Sequence, residues 1–255
     1  MKVLYVPKGR AGEFAELACS VYLKCTHGCS YCYCPDILHV TKEEFHQQPK
    51  ERPNFLEYLE KDASLLRNNS KWNDKPILLS FIGDCYQPIE LETKLTRAAI
   101  EILHEYGLKV MILTKGGKRA MRDFDLLGPG DSFATTLTCL RAEDSIQWEP
   151  GAALPWDRIL SLKVAHRLGL DTWVSLEPVI YPGNSMRLME MTKDFVGHYK
   201  VGTMNYHPHG KEIDWHDFGW KIKRRMDELG VKYYLKKDLR REMRLDEGGD
   251  ASAKG

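Results

Sequence analysis

Apolar, β-branched runs alternate with amphipathic helical patterns from one end of the chain to the other, and this alternation limits the possible folds more than any other feature. Six strands are predicted, at Leu17–Lys24, Ile77–Ile82, Lys109–Leu113, Ser132–Leu140, Thr172–Leu176 and Tyr199–Met204. Six helices are predicted between and after them, at Phe55–Arg67, Glu92–Tyr106, Arg119–Leu127, Trp156–Leu168, Ser185–Val196 and Trp215–Leu229. Strict alternation is typical of repeated βα units. It predicts an α/β fold with a mainly parallel sheet, arranged as an open barrel of six units.

The length of 255 residues falls within the range of a single α/β barrel. We expect residues 1–245 to form one domain, with a basic C-terminal extension that begins at about residue 215. The tail 246–255 is polar and rich in glycine, so we expect it to be disordered.

No apolar run approaches the roughly 20 residues that a membrane-spanning helix needs, and the N-terminus lacks the apolar stretch of a secretion signal. We therefore expect a cytoplasmic protein with no membrane partner. The formal net charge of +1 favours neither a polyanionic nor a polycationic partner.

Four of the seven cysteines lie within ten residues, from Cys25 to Cys34. In a cytosolic protein, clustered thiols more often bind metal than form disulfides. Cys25, Cys29 and Cys32 have the spacing C-x3-C-x2-C, with Tyr31 directly before the last cysteine. Three thiolates in a compact loop can ligate three irons of a cubane cluster, which leaves the fourth iron open. An open coordination position is what a catalytic metal site requires.

A zinc site is the alternative for these cysteines, with Cys34 or His27 as the fourth ligand. Such sites commonly use a second ligand pair farther along the chain, and the sequence has no further C-x2-C or H-x3-H pair. Cys34 follows Cys32 too closely to ligate the same cluster, so we expect it not to be a ligand.

Four further segments continue the pattern: Gly83-Asp84-Cys85-Tyr86-Gln87-Pro88-Ile89-Glu90, Thr114-Lys115, Glu149-Pro150 with Arg158, and Leu176-Glu177-Pro178-Val179-Ile180. Together with the cysteine motif they resemble the radical-SAM superfamily, in its spore photoproduct lyase and photolyase-like branch. The resemblance implies a partial (β/α)6 barrel, a 4Fe-4S cluster and S-adenosylmethionine bound at the open iron. It also implies an external electron donor of the flavodoxin or ferredoxin type, and reductive cleavage of S-adenosylmethionine to a 5′-deoxyadenosyl radical.

The resemblance also implies roles for particular residues. Gly83 and Asp84 would hold the amino group of the methionine moiety, and Lys115 would pair with its carboxylate. The other cofactor-binding candidates are Tyr31, Thr136, Glu177 and Asn205. Simpler alternatives are a strand-end cap for Asp84, Glu177 and Asn205, and a role for Thr135 or Thr138 in place of Thr136.

Tyr33 and Cys85 are the candidates for passing a hydrogen atom, because a phenol or thiol beside the radical can do so. Tyr33 matches a family tyrosine next to the last cluster cysteine. Cys85 departs from the position of the family's cysteine, and the alternative for it is a small buried residue. This departure argues against thymine-dimer repair.

The last forty residues carry ten lysines and arginines between Lys221 and Arg244, with Tyr233 and Tyr234 among them. Such a segment can neutralise phosphates and stack bases, or it can be a solvated helix face with ion pairs. His207 and His209 follow the sixth predicted strand, where they could line the mouth of the site.

Three functions therefore remain open. The first is a radical-SAM lyase, isomerase or base-modifying enzyme that acts on a pyrimidine base in DNA or in a nucleotide. The second is a radical-SAM enzyme for a small metabolite or peptide. The third is a zinc or iron-sulfur module that binds nucleic acid without catalysis.

Overall fold

A computed structural model describes residues 2–49 and 51–245 of the chain. In this part of the chain one sheet has eight strands in the order β1 to β8. They are β1 (Leu4–Tyr5), β2 (Leu17–Cys19), β3 (Ile77–Leu79), β4 (Val110–Thr114), β5 (Ser132–Thr136), β6 (Asp171–Leu176), β7 (His198–Val201) and β8 (Lys232–Leu235). β1 is antiparallel to β2, and each later strand is parallel to the one before it. The sheet is not closed, which confirms the expected open α/β barrel.

All six predicted strands are present, as β2 to β7, but the sheet has one further strand at each edge. β1 is only two residues long, too short to show a periodic pattern. β8 begins with Lys232 and lies inside the basic segment. The charged residues around it hide the apolar pattern of a strand, although its last residue, Leu235, is buried.

Ten α-helices accompany the sheet, and the longer ones cover its outer face. They are α1 (Cys34–Leu38), α2 (Lys42–His46), α3 (Phe55–Leu66), α4 (Glu90–Thr93), α5 (Leu95–Glu105), α6 (Ala142–Trp148), α7 (Pro155–Arg167), α8 (Pro182–Thr192), α9 (Trp215–Leu229) and α10 (Lys237–Glu242), counted over residues 2–49 and 51–245. The predicted helix Arg119–Leu127 is wrong, because this segment is a 3-10 helix, Gly117–Asp123. It begins at a glycine pair, where helix propensity is low, and Gly117 has a φ of 56°.

Side chains alternate between the two faces of the sheet, as the period of a strand requires. Residues such as Leu17, Leu79 and Ile112 face outward and join the main core under the helices. Ala18, Leu78, Ala134 and Trp173 face inward and pack together inside the barrel.

Residues 7–14, here called the N-terminal strap, link the two edges of the open sheet. The strap connects β1 with β2, yet its last residues bind the opposite edge. The carboxylate of Glu13 accepts hydrogen bonds from Tyr234 Oη (3.0 Å) and from the backbone N–H of Lys237 (2.8 Å). Lys200 Nζ donates to the carbonyl oxygens of Glu13 and Phe14. The ring of Phe14 lies inside the barrel, with its centroid 6.1 Å from that of Trp173.

None of the helices in residues 2–49 and 51–245 is long and apolar enough to cross a lipid bilayer. The predicted disordered tail, 246–255, lies outside the described residues.

His198 makes the stability of the folded protein depend on pH. It lies directly opposite Trp173 on the neighbouring strand, and the two rings stack with centroids 5.6 Å apart. Burial, together with the nearby Lys200, lowers the pKa of His198 from its usual 6.5 to about 4. Between pH 6.5 and pH 4, the unfolded chain binds a proton at His198 that the folded chain does not. The free energy of unfolding therefore falls as the pH falls from 6.5 to 4.

We predict that His198→Phe retains the stacking and reduces this acid-induced loss of stability. Between pH 6.5 and 4, the free energy of unfolding of the wild type should fall by about 2 kcal/mol more than that of the variant. This value is already reduced to allow for the partial exposure of His198. Urea unfolding of both proteins at a series of pH values measures the difference. Identical pH profiles for the two proteins would show that His198 titrates normally in the folded state.

Candidate active site

A cavity of about 530 Å³ opens at the carboxyl ends of the parallel strands. This is where parallel α/β barrels place their functional groups. The predicted site residues that line it are Cys25, Cys29, Tyr31, Cys32, Tyr33, Gly83, Asp84, Lys115, Thr136, Glu177 and Asn205. The structure thus brings together all of the predicted site residues except Cys85.

The loop that carries the three cysteines is held by backbone contacts on three sides. Gln87 bonds to both Lys24 O (2.9 Å) and the N–H of Thr26 (3.0 Å). From the other side the N–H of Ser30 donates to Trp148 O (2.9 Å). Gly151 packs so closely that a Cβ atom there would lie 2.3 Å from Thr26 O. These contacts set the shape of the loop without using the cysteine side chains.

The three thiols differ in their surroundings. Burial raises the pKa of Cys25 to about 12 and that of Cys29 well above its ordinary value. A hydrogen bond from Cys34 lowers the pKa of Cys32. Without metal, Cys25 and Cys29 are therefore protonated at neutral pH, whereas metal coordination deprotonates a thiol outright.

Lys115 follows β4 directly and its side chain enters the cavity beside the cysteine loop. Its Nζ lies 5.6 Å from the ring centroid of Tyr31, and among the described residues the ammonium has no hydrogen-bond or ion-pair partner. Burial opposes its charge, but nearby Cys29 and Glu149 outweigh this effect and raise the pKa of Lys115. The ammonium is therefore charged and available to an anionic ligand.

A buried network positions Tyr31. Its hydroxyl donates to Glu149, and the other oxygen of Glu149 accepts from Arg158 Nη2 at 2.6 Å. Arg158 also donates to the carbonyl oxygens of Ala153 (2.7 Å) and Thr136 (3.0 Å). Arg158 and Glu149 are each only 1% exposed, so this ion pair connects α7 and β5 to the cysteine loop from within the core.

Gly83 and Asp84 form the turn after β3. Gly83 has a φ of 68°, and a Cβ atom there would lie 2.8 Å from Lys24 O, so only glycine fits. Burial opposes ionisation of Asp84, but its pKa is nevertheless lowered. The causes are His27, whose Nδ1 lies 3.6 Å from Asp84 Oδ2, and hydrogen bonds from the Lys115 N–H (2.6 Å) and Thr114 Oγ1 (2.5 Å). His27 itself is neutral at neutral pH, because burial lowers its pKa to about 4. Asp84 thus acts as a strand-end cap and also lines the cavity.

Thr136 lines the cavity, whereas Thr135 Oγ1 donates to Thr114 O within the sheet (2.7 Å). Glu177 forms an ion pair with Lys236 Nζ at 2.7 Å, although Lys236 is only 1% exposed. Asn205 donates to Asp238 Oδ2 at 3.0 Å. Glu177 and Asn205 thus each contact a residue just after β8 and also line the cavity, and their role as cofactor ligands stays a prediction.

The two hydrogen-transfer candidates occupy different places. Tyr33 lines the cavity, and its hydroxyl donates to Phe81 O at 3.0 Å. Cys85 is fully buried outside the cavity, with its Sγ 3.4 Å from Leu79 O, which is the placement of the small-buried-residue alternative. The thiol that reaches the cavity beyond the three predicted ligands is Cys34, whose Sγ lies 3.6 Å from Phe81 O.

Three basic residues of the C-terminal segment form ion pairs on the surface of α9. Lys221 pairs with Asp217 (2.8 Å), Lys223 with Asp227 (2.7 Å) and Arg225 with Glu190 (2.7 Å). Tyr233 and Tyr234 donate their hydroxyl protons to Asp227 and Glu13. These contacts favour the solvated helix face over a nucleic-acid surface for this part of the segment.

His207 and His209 pack against Trp148 rather than lining the cavity, with ring centroids 5.0 and 5.4 Å from the indole. His209 also contacts Glu212 and the carbonyl oxygen of Ile180, at 2.9 and 3.0 Å. Their contacts are those of structural residues.

Sequence reasoning missed several residues that line the cavity, chiefly Lys8, Arg10, Phe14, Tyr206 and Lys236. Lys236 directly follows β8, so recognition of that strand would have placed it at the same edge as Lys115 and Glu177. No local pattern marks the N-terminal strap, because it reaches the cavity only through tertiary contacts.

These residues fit the expected cluster and S-adenosylmethionine. Each cysteine of a cubane binds a different iron, so the three thiols need not converge on one point. Consistent with this, residues 2–49 and 51–245 contain no group of three His, Cys, Asp or Glu side chains close enough to hold a single ion. The half-buried ammonium of Lys115, which has no partner among the described residues, is a suitable partner for the methionine carboxylate.

Among curated proteins, an uncharacterized protein of Methanocaldococcus jannaschii is 26% identical over 168 residues, which are 65% of this chain and 61% of the relative. The chain thus spans about three fifths of the length of that relative.

Two solved radical enzymes have similar folds. Spore photoproduct lyase with bound S-adenosylmethionine and dinucleoside spore photoproduct has a TM-score of 0.69 at 12% identity, covering 91% of this chain and 79% of that chain. SuiB of Streptococcus suis with bound S-adenosylmethionine has a TM-score of 0.63 at 10% identity, covering 86% of this chain and 49% of that chain. The family model described as "Radical SAM superfamily" matches residues 19–196, well over half of the sequence. This chain belongs to the radical SAM superfamily, whose enzymes use a 4Fe-4S cluster and S-adenosylmethionine.

Proposed function

We propose that this protein is a radical SAM enzyme that abstracts a hydrogen atom from a pyrimidine base, carried by a nucleotide or by DNA. It would then belong to the lyase, isomerase or base-modifying class. The observation that carries the proposal is the set of polar residues that the carboxyl ends of the strands bring to one cavity. The cysteine loop follows β2 and Lys115 follows β4, whereas Glu177, Asn205 and Lys236 follow β6, β7 and β8, and all of them line the cavity. In our proposal the second group contacts the substrate. The similarity in fold to spore photoproduct lyase supports a nucleobase as that substrate.

When bound, the cluster and S-adenosylmethionine supply a 5′-deoxyadenosyl radical, which is the species that removes hydrogen from the substrate. In our assignment Cys25, Cys29 and Cys32 hold the cluster. Lys115 binds the methionine carboxylate, and the Gly83–Asp84 turn receives the amino group.

Other cavity residues would complete the cofactor site and exclude water. Thr136 would contact the nucleoside part of the cofactor, and Tyr31 would cover Lys115. Phe14 forms an apolar part of the cavity lining together with Phe81 and Leu113. Because charged interactions strengthen when water is excluded, this lining supports binding of the methionine group at Lys115.

Tyr33 is our candidate for hydrogen-atom transfer in place of Cys85. Its phenol lies in the cavity wall next to Cys32, whereas Cys85 Sγ would have to cross the buried core to reach a bound ligand.

The size of the cavity restricts the form of the substrate. A volume of about 530 Å³ is in the range of small-molecule sites. A base in a DNA duplex would have to be turned out of the stack to enter it. Enzymes of this family also need an external electron donor, and we propose a flavodoxin or ferredoxin type.

Cys29→Ala should abolish cluster loading, because a cubane held by two cysteines lacks a ligand that the site cannot replace. Anaerobic reconstitution followed by iron and sulfide analysis should give background values, and formation of 5′-deoxyadenosine should fall to background. Cys85→Ala serves as the control, and it should load iron and sulfide normally. A normally loaded Cys29→Ala protein would mean that Cys29 is not a ligand.

Lys115→Met should weaken binding of S-adenosylmethionine about 30-fold to 150-fold, since a charge-assisted contact of this kind contributes about 2 to 3 kcal/mol. Calorimetric titration of the cluster-loaded protein measures the affinity. Lys118→Met is the matched control, because Lys118 is exposed and pairs with Asp157 at 2.7 Å. Equal losses in the two variants would assign the effect to net charge rather than to the site.

Substrate identity is tested by isotope transfer. The reconstituted protein is reduced with S-adenosylmethionine in the presence of perdeuterated thymidine, thymidine 5′-monophosphate or single-stranded DNA, and 5′-deoxyadenosine is analysed by mass spectrometry. We expect deuterium in the product from at least one of these compounds, and none with the Cys29→Ala protein. If unlabelled 5′-deoxyadenosine forms at the same rate with and without every nucleic-acid compound, the substrate is instead a small metabolite or peptide.

A further inference from the structure

The mouth of the cavity is formed by two segments that come from distant parts of the sequence. One is the N-terminal strap, which contributes Lys8 and Arg10, and the other is the turn after β7, which contributes Tyr206. None of these residues belongs to the cofactor site described above, and the assigned mechanism uses none of them.

The guanidinium group of Arg10 is available for further hydrogen bonds. Its side chain is 45% exposed, and its Nε lies 3.6 Å from Asp238 Oδ2, beyond hydrogen-bond distance. Asp238 Oδ2 already accepts hydrogen bonds from Thr203 Oγ1 (2.9 Å) and Asn205 Nδ2 (3.0 Å). Asp238 therefore does not depend on Arg10, and most of the donors of the guanidinium remain available.

Lys8 adds a second cation on the same strap. It is exposed, lines the cavity, and has no ion pair with any described residue. Lys236 is a third cation in the cavity lining, but Glu177 neutralises it at 2.7 Å. Of these three cations, Lys8 has no ion pair with a described residue and Arg10 has only the long one with Asp238, so these two are the cations available to a ligand at the mouth.

Tyr206 faces these cations with an exposed aromatic ring. Tyr206 is 55% exposed, and its backbone φ of 62° is unusual for any residue other than glycine. The Arg10 guanidinium carbon lies 5.9 Å from the ring centroid. An exposed aromatic ring in a costly backbone conformation is a feature that functional sites retain.

We propose that these residues form a nucleotide clamp at the mouth, in which Arg10 and Lys8 bind a phosphate group of the substrate and Tyr206 stacks on its base. Guanidinium groups bind phosphate through paired hydrogen bonds, and aromatic side chains stack on bases of any sequence. The inference rests on the proposed function and extends it, because it makes the substrate a phosphorylated nucleoside rather than a free base or nucleoside. The phosphate would come from a free nucleotide or from the backbone of a strand.

Binding measurements on the cluster-loaded protein with S-adenosylmethionine, kept unreduced under anaerobic conditions, test the clamp without turnover. The probes are thymidine, thymidine 5′-monophosphate, the dinucleotide thymidylyl-thymidine and inorganic phosphate. In the wild type, we expect the two phosphorylated compounds to bind about tenfold more tightly than thymidine, which is the effect of about 1.4 kcal/mol. Tighter binding of the dinucleotide would identify a strand as the source of the phosphate, and tighter binding of the monophosphate a free nucleotide.

The variants separate the two parts of the clamp. Arg10→Gln should remove the advantage of the phosphorylated compounds while leaving thymidine binding unchanged. Tyr206→Ser should weaken thymidine and its monophosphate by the same factor. Arg187→Gln is the matched control, because Arg187 is also exposed, has a comparably long ion pair with Glu190 (3.5 Å) and does not line the cavity. It should behave as the wild type.

The clamp is overturned if phosphorylation gives no advantage in the wild type, or if the advantage survives in Arg10→Gln. Inorganic phosphate distinguishes this failure from that of the proposed function. If phosphate binds in an Arg10-dependent way while every thymidine compound fails to bind, the phosphate site stands and the pyrimidine assignment is wrong.

Discussion

Strands β2 to β8 all run in the same direction, and the whole site depends on this constraint. Parallel strands end at one edge, so residues that follow different strands meet there even when they are far apart in the sequence. Lys115 follows β4, Glu177 follows β6 and Lys236 follows β8, and all three line the same cavity. The open sheet leaves a gap between its edge strands, and the N-terminal strap bridges that gap with Glu13 and Phe14.

The charged side chains around this cavity are of two kinds, namely ion pairs that connect parts of the structure and a cation that is available to a ligand. Arg158 and Glu149 form one buried ion pair, which holds Tyr31, and Lys236 and Glu177 form a second ion pair after β8 and β6. A buried ion pair contributes little net stability, because desolvation of both charges offsets their attraction. Lys115 differs from both pairs, since its ammonium has no partner among the described residues. The structure therefore tolerates one uncompensated cation at the place where an anionic ligand is expected.

The cofactor site and the mouth of the cavity also differ in how they are built. The cofactor site comes from short motifs with close backbone packing, such as Gly83 against Lys24 O, and a side chain added there would collide with the main chain. The mouth comes from exposed side chains on the strap and on the turn after β7, which are held by few contacts. Substrate preference can change at such positions without disturbing the cofactor site.

The sequence by itself determined the family and the cofactors, and it predicted most of the residues on the cysteine side of the cavity, because those residues lie in local motifs. The spacing of Cys25, Cys29 and Cys32 is set by one loop, and Lys115 directly follows a recognisable strand. The periodic pattern also predicted the six central strands and the open barrel.

Only the tertiary structure decided which chemically suitable residues reach the cavity. Cys85 follows the same turn as Asp84 but points into the core, whereas Cys34 and Arg10 reach the cavity. Lys236 belongs to the basic C-terminal segment, in which Lys223 is ion-paired on the surface, but Lys236 directly follows β8 and is buried. The direction of a side chain and the meeting of distant segments depend on packing across the whole sheet, and a local pattern does not contain that information.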